Sequence, residues 1–224
     1  MRKVDETVRG SVLGKPGSVF IDNAWMDLLA KAPKGRPKTR EEWRPPKSGS
    51  KGLDSCPYLP TQLADASPQR KDYLAEGLKK LAGTSFYGVC NDFAWVVTSL
   101  LVAPKSSAGG PLLPAGTPVE LYGIVGRQED KHLFTVVNRA AGSDPSDHST
   151  WGRDCFVVDQ WYALQTGTAP VKSLADGPYH DREFLEWWTA TLTKTFLFYP
   201  KGGGKETRTN HLEPQARFAA GTPE

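Results

Sequence analysis

The chain has 224 residues, of which 38% are hydrophobic, and its 28 basic and 25 acidic side chains give a formal net charge of +3 at pH 7. This length allows one sizeable buried core, and the near balance of charge argues against a nucleic-acid-binding protein. The longest apolar stretch, residues 94–103, is much shorter than the roughly 20 residues of a membrane-spanning helix. The basic start of the chain also lacks the apolar segment of a secretory signal peptide. Neither a membrane span nor signal-dependent export is expected.

The cysteines predict neither a disulfide framework nor a metal site. Cys56, Cys90 and Cys155 occur without a CxxC pair, although one bridge between Cys56 and Cys155 is conceivable in an oxidising compartment. No pair of histidines or cysteines has the short spacing of the common zinc sites, which disfavours tight metal binding. No cofactor is expected.

The chain divides into three parts by composition. Residues 1–50 are predicted to form an N-terminal extension, in which Asp22 can cap a short helix that Pro33 ends. Lys and Arg then recur among Pro, Gly and Ser, which is typical of a mobile linker. Residues 51–200 are assigned to the main domain. Residues 201–224 are predicted to be a disordered tail, because three glycines follow directly after Lys201.

Two helices are predicted in the first half of the main domain. Three leucines at helical spacing after Ser67 predict one helix, which Gly83 can end. A second helix is predicted from Cys90 to Pro104, because apolar residues recur there at the spacing of one buried helix face. These residues are Phe93, Val96, Val97, Leu100 and Leu101. Cys90 would lie at the amino-terminal edge of that face.

Three strands and a last helix are predicted in the second half. Runs rich in β-branched and aromatic residues predict strands at 119–125, 132–139 and 155–161. The first two are expected to form a hairpin, and a polar insertion, residues 140–154, separates the second from the third. The last helix, from about residue 181 to 194, carries several aromatic residues, which are more typical of core packing than of a ligand site.

Cys90 is the candidate nucleophile, because the start of a helix favours the thiolate over the thiol. His132 and Asp159 are the candidate base and orienting carboxylate. If the strands at 132–139 and 155–161 pair in antiparallel fashion, the start of one lies beside the end of the other, and the imidazole meets the carboxylate. The sequence therefore predicts a Cys-His-Asp triad for nucleophilic catalysis.

Each of these residues has a competing interpretation. Cysteine is among the most often buried residue types, so Cys90 could be a structural thiol. Cys155 is predicted to be a structural thiol, because it lies in an apolar strand. His132 could be an exposed residue at a strand end, and Asp159 could merely cap a strand and pair with an arginine. The rivals for the base and the carboxylate are His148, His180, His211 and Asp154.

Two segments resemble motifs of the papain-like and transglutaminase-like superfamily, and the resemblance covers residues 84–163. Tyr87 to Ala94 resembles the Tyr-Gly-x-Cys-x-x-Phe-Ala block of transglutaminase-like domains. Val157 to Trp161 resembles the apolar-Asp-x-Trp block of bacterial effector proteases and toxin deamidases. The resemblance implies an α+β fold in which the helix carrying the nucleophile packs on an antiparallel sheet. It also implies that Trp161 shields the His-Asp hydrogen bond, and that Asn91 and Trp161 are the candidates for the oxyanion site or pocket.

The resemblance further implies a thiol protease or glutamine deamidase that acts on protein amides, with a transglutaminase or peptidoglycan amidase as alternatives. A non-catalytic protein-binding module is the alternative from another class. The effector-like motifs, the absence of a signal peptide and the basic linker suggest an effector or toxin made in the cytoplasm. A specialised secretion system would deliver it into a host or competitor cell. Its expected partner is a target protein there, and an immunity or chaperone protein is a second candidate.

Overall fold

The computed structural model describes residues 1–9, 19–21, 74, 86–88, 90–103, 111–127 and 131–221. In chain order, the helices and strands are α1 (Arg2–Val8), β1 (Val19–Ile21), β2 (Phe86–Gly88), α2 (Cys90–Val102), β3 (Pro118–Val125), β4 (His132–Val137), β5 (Phe156–Val158), α3 (Gln160–Thr166), β6 (Val171–Ser173), α4 (Arg182–Leu192), β7 (Thr195–Phe198), β8 (Glu206–Thr209) and β9 (His211–Ala219). The predicted helix after Asp22, most of the predicted helix before Gly83, the basic linker and Cys56 lie outside the described residues.

An antiparallel sheet of five strands, in the order β6-β5-β4-β3-β9, forms the centre of the fold. α2 packs on one face of this sheet and α1 joins the same core, while side chains of α3 and α4 pack on the other face. Because both faces are covered, β4 is buried over its whole length. The α+β class, the hairpin of β3 and β4, and a helix that begins at Cys90 and packs on an antiparallel sheet are confirmed.

Helix α2 is buried on all sides after its first residue, which goes beyond the single buried face that its sequence pattern predicts. The reason is that α1 and α3 pack against α2 on sides that the sheet does not cover. Two buried hydroxyls tie the helix to the sheet, because Thr98 Oγ1 lies 2.9 Å from Thr135 Oγ1. Thr135 Oγ1 also lies 3.2 Å from the Ala94 carbonyl oxygen, to which it donates. This contact sets the position of α2 relative to β4.

The first residues of the chain belong to the packed domain, which differs from the prediction of an extension over residues 1–50. Val4 and Val8, on one face of α1, are fully buried in the core that α2 shares with the sheet. Residues 19–21 form β1, which pairs in parallel with β2. The N-terminal segment therefore contributes one helix to the core around α2 and one strand that pairs with β2, just before α2.

The prediction of a disordered tail over residues 201–224 is wrong for most of that segment. β9 pairs with β3 along its whole length, from His211 opposite Val125 to Ala219 opposite Pro118. The three glycines belong to the connection between β7 and β8, where Gly203 and Gly204 adopt positive φ values of 85° and 97°. Glycine adopts such values without strain, so this run marks a turn between two strands.

Among the described residues, no helix is long and apolar enough to cross a membrane.

Candidate active site

The site lies at the end of the sheet where β4 begins and β5 ends, here called the His132 end. Thr135 of β4 pairs with Val158 of β5, so the residues that follow β5 lie beside those that begin β4. Helix α2 packs on β4 and begins with Cys90. The strand register and the helix position thus bring residues from three distant segments to one place.

His132 and Asp159 form a buried pair, with His132 Nε2 2.6 Å from Asp159 Oδ2. The two residues are only 3% and 2% exposed. The second carboxylate oxygen, Oδ1, accepts a hydrogen bond of 2.9 Å from the backbone N–H of Tyr162 and so caps α3. Because both oxygens are engaged, the carboxylate holds the imidazole ring in one orientation.

The cap also explains why the third strand is shorter than predicted. The sequence predicts a strand over 155–161, but β5 ends at Val158 and α3 begins at Gln160. An N-cap aspartate favours a helix start over a continuing strand. Asp159 therefore does cap an element, but the element is a helix, and its ionic partner is His132 and not an arginine.

Cys90 completes the group. Its thiol is free and half-buried, and it contributes a hydrogen bond and charge to His132. Since Nε2 of the ring faces Asp159, the nitrogen left for Cys90 is Nδ1. Cys90 is the most exposed of the three residues.

The electrostatics of the group favour a charged ring. Burial lowers the pKa of His132, but the charge and hydrogen bond of Asp159, together with Cys90, outweigh it and raise the pKa to about 10. The ring is then an imidazolium at neutral pH. An imidazolium beside a cysteine is the setting in which a thiolate nucleophile forms.

No protein-family model, curated protein or solved structure matches this chain.

Aromatic rings enclose His132. The ring centroid of Trp161 lies 5.0 Å from that of His132, and Trp187 meets His132 edge-on at 5.4 Å. Both tryptophans are half-buried, so they separate the His-Asp pair from solvent, where a lower local dielectric strengthens the hydrogen bond. Trp187 is not among the predicted site residues. The pair of adjacent tryptophans was the available signal for it, since only one of the two, Trp188, is fully buried in the core.

The other pocket candidate, Asn91, is 4% exposed at the second position of α2. Its side chain is buried while that of Cys90 is half-buried. Of these two neighbouring residues, Cys90 is the more accessible.

The rival residues lie in other surroundings. His148 packs on Trp188, and His180 and His211 face nearby carboxylates at 3.8 Å and 3.7 Å. Asp154 is exposed at the surface. Cys155 is a free and fully buried thiol, so the conceivable bridge to Cys56 is not formed. Burial raises the pKa of Cys155 to about 12, which is the condition of an inert thiol.

Across the residues that the structure describes, no three His, Cys, Asp or Glu side chains are grouped so as to hold a metal ion.

Proposed function

We propose that this protein is a cysteine-dependent acyl-transfer enzyme that hydrolyses protein amides, as a thiol protease or glutamine deamidase. The observation that carries the proposal is the buried His132–Asp159 hydrogen bond of 2.6 Å, joined to a half-buried Cys90 at the start of α2. A buried ion pair by itself could be structural. The third group, the half-buried thiol of Cys90, favours a catalytic role over a structural one.

Each residue of the group has one task in this mechanism. The Cys90 thiolate attacks the amide carbon, and the carbonyl electron pair moves to oxygen, near the backbone N–H of Cys90. The oxyanion then collapses, the C–N bond breaks, and His132 Nδ1 gives its proton to the leaving nitrogen. The product of this half-reaction is a thioester on Cys90. Asp159 keeps the ring in the required orientation throughout.

The second half-reaction releases the acyl group. His132, now neutral, takes a proton from water as the water oxygen attacks the thioester carbon. The C–S bond breaks, and the thiolate and imidazolium are restored. If an amine replaces water, the same steps form a new amide, which is the transglutaminase alternative.

The class of substrate rests on the sequence motifs around Cys90 and Asp159. These motifs resemble those of effector proteases and toxin deamidases, which supports a role as an effector or toxin that a specialised secretion system delivers. A peptidoglycan amidase is disfavoured because that branch of the superfamily usually has a second histidine where Asp159 stands. Specificity within such a superfamily depends on the loops around the site.

A protein-binding module is the second candidate. Leu197 and Tyr199, on the β7–β8 hairpin, are 50% and 66% exposed. They alternate with the half-buried Phe196 and Phe198, so the two exposed side chains lie on one face of the hairpin, and a partner protein that covers this face would bury both. The same surface would also suit an enzyme that docks on a protein target.

The deciding test compares the reactivity of Cys90 across pH in the wild-type chain and in His132→Ala, with Cys90→Ala as the blank. We expect rapid alkylation near pH 6 that is lost in His132→Ala, because the thiolate depends on the charged ring. Mass spectrometry of proteins treated with wild type and with Cys90→Ala then separates the reactions. Cleavage indicates a protease, a gain of about one dalton at glutamine a deamidase, and a crosslink a transglutaminase. Equal reactivity of Cys90 with and without His132 would overturn the proposal.

A further inference from the structure

The β7–β8 hairpin has one face whose side chains pack on each other and one face that is open. In the described part of the chain its two strands pair only with each other, and alternate residues line each face. On the packed face, the Arg208 guanidinium lies 3.6 Å from the centre of the Phe198 ring and pairs with Glu206. The open face carries Leu197 and Tyr199, the two most exposed large hydrophobic side chains among the described residues.

The tip of the hairpin is basic. Lys201 and Lys205 flank the three glycines of the connection, and both are exposed. The single acidic residue of the hairpin, Glu206, is held by Arg208, and within the described ranges neither tip lysine forms a salt bridge. The two positive charges are therefore available to an acidic partner.

The hairpin begins at the same end of the sheet as the candidate site. His132 of β4 stands opposite Ile124 of β3, and Ile124 stands opposite Leu212 of β9. Because neighbouring strands are about 4.8 Å apart, β9 begins about 10 Å from His132. β8 leads into β9 through the single residue Asn210, so the hairpin extends from this end of the sheet.

Contacts at the base of the hairpin fix it to the elements that build the site. The Asn210 amide donates to the Thr191 carbonyl oxygen of α4 at 2.9 Å, and its Oδ1 accepts from the backbone N–H of Arg127 at 2.9 Å. α4 is also the helix whose Trp187 meets the His132 ring. A molecule held on the hairpin is therefore kept close to the triad.

We propose that the β7–β8 hairpin docks the protein substrate of the candidate site through an acidic and partly apolar surface of that substrate. This inference rests on the proposed function. Leu197 and Tyr199 lose their contact with water when the substrate covers the open face, which favours binding. Lys201 and Lys205 pair with carboxylates of the substrate, which directs it to the tip and fixes its orientation.

The arrangement of the apolar side chains favours a protein over a membrane surface. The tip, which would meet a bilayer first, has only glycines between Lys201 and Lys205. The apolar side chains lie on a flank instead, where the exposed Thr207 stands across the hairpin from Leu197. An aromatic and an aliphatic side chain with a polar, charged rim are typical of protein interfaces.

The probe for this docking is a fluorescently labelled random copolymer of glutamate and tyrosine, an acidic polypeptide with aromatic side chains. Its affinity for the full chain is measured by fluorescence anisotropy at several salt concentrations. The rate at which iodoacetamide alkylates Cys90 is measured with and without the copolymer, and the reaction of Cys90→Ala is subtracted. Neither measurement requires turnover by the enzyme.

Two double variants test the two parts of the surface. Lys201→Ala/Lys205→Ala should lower the affinity about tenfold and weaken its salt dependence, because the exposed charges are gone. Leu197→Ser/Tyr199→Ser should lower the affinity by about tenfold or more and leave the salt dependence unchanged. Both should keep the wild-type melting temperature, since the substituted side chains are exposed.

The matched control is Lys47→Ala/Lys51→Ala, which removes the same charge from the basic linker of the sequence. It should bind the copolymer as wild type does. Bound copolymer should slow the alkylation of Cys90 severalfold in wild type and in this control, because a polymer docked on the hairpin covers the nearby site. At the same copolymer concentration, the two hairpin variants should lose this protection.

The other outcomes overturn the inference in distinguishable ways. No binding by wild type, or an equal loss in the linker control and the tip variant, would show that the hairpin is not the docking surface, and would leave the proposed function intact. Hairpin-dependent binding to phosphatidylcholine vesicles that contain phosphatidylserine, with none to the copolymer, would make the partner a membrane. A wild-type dimer that Leu197→Ser/Tyr199→Ser dissociates would make the partner a second copy of this chain.

Failure of the proposed function gives a different result. The copolymer would then bind through the hairpin, but Cys90 would react equally with and without His132. That result would overturn the acyl-transfer mechanism, and with it the claim that the docked protein is a substrate.

Discussion

Two buried ion pairs of this molecule have the same local arrangement. In each, an aspartate caps a helix with Oδ1 and pairs with a cation through Oδ2. Asp159 caps α3 and binds His132, and Asp181 caps α4 and binds Lys172. The capping hydrogen bonds are 2.9 Å and 3.0 Å long.

The two cations differ in what else surrounds them. Lys172 is 1% exposed, donates to both Asp181 and Thr168, and lies over the rings of Tyr162 and Phe184 at 5.2 Å and 5.7 Å. All its interactions are with other structural groups. His132 instead has a second ring nitrogen, and its other partner is the free, half-buried thiol of Cys90, the proposed nucleophile. The comparison teaches that a buried ion pair indicates chemistry only when one of its members faces a group that can react.

The largest expected effect is on the activity of Asp159→Asn. Asparagine still caps α3, but it cannot stabilise the imidazolium and favours the wrong tautomer, so acylation of Cys90 should fall about 10⁴-fold. The measurement is the Cys90-dependent rate with p-nitrophenyl acetate. A rate within tenfold of wild type would mean that the carboxylate has no catalytic part. Asp181→Asn is the matched control and should keep the wild-type rate.

Asp181→Asn should have its effect on stability. It leaves the Lys172 ammonium buried without its counter-charge, which costs about 3 to 5 kcal/mol. Lys172→Met should cost much less, because Asp181 is closer to solvent and still accepts from the Phe184 N–H. Urea unfolding of both variants measures the difference. Equal losses would show that leaving the Lys172 ammonium without its counter-charge adds no cost beyond the loss of the pair itself.

The two pairs should lose their stabilising effect at opposite ends of the pH scale. The pKa of His132 is raised to about 10 in the folded chain from about 6.5 when unfolded. Its contribution to stability is therefore complete below the unfolded value and is lost as the pH rises through about 10. Burial raises the pKa of Asp181, but the hydrogen bond and charge of Lys172, with backbone N–H groups, outweigh it and lower the pKa. That contribution is present above the unfolded carboxyl pKa and is lost as the pH falls through the lowered one.

Melting temperatures across pH check this asymmetry. The difference between wild type and Asp159→Asn should shrink toward alkaline pH, and the difference between wild type and Asp181→Asn should shrink toward acid pH. Two differences that shrink at the same end would contradict the assignment of opposite pKa shifts.

The smallest expected effect concerns the aromatic enclosure of His132. Trp187→Leu keeps an apolar residue but removes the ring that meets His132 edge-on at 5.4 Å. An aromatic contact of this kind contributes about 1 kcal/mol, so acylation of Cys90 should fall about tenfold at most. The matched variant Trp188→Leu, at a fully buried core position, should mainly lower stability. Unchanged acylation in Trp187→Leu would show that Trp187 only packs.

Several parts of the fold could be predicted from local sequence. The hairpin of β3 and β4 follows from two runs of β-branched and aromatic residues, and the start of α2 at Cys90 follows from its apolar spacing. The strand β9 is not predicted, because the segment follows a glycine run and contains a proline and charged residues, which are typical of coil. Whether this segment forms a strand depends on its pairing with β3, which lies about a hundred residues earlier in the chain and so outside any local sequence window.

The candidate site, like the fold, could be predicted from the sequence only in part. The residue types and their order along the chain suggested Cys90, His132 and Asp159, because few combinations of side chains support nucleophilic catalysis. The enclosure of His132 by Trp187 could not be predicted, because it depends on which face of α4 turns toward the site. The helical spacing of a short segment leaves that orientation open.

The sequence by itself determined where α2, β3 and β4 begin, because apolar periodicity acts within a few positions. It also determined the chemical types available for a site. Only the tertiary structure decided that His132 and Asp159, 27 residues apart, meet at 2.6 Å, while Lys172 and Asp181 form a closed pair. The physical reason is that strand register and helix packing are settled by the summed burial of both sheet faces, to which every distant segment contributes.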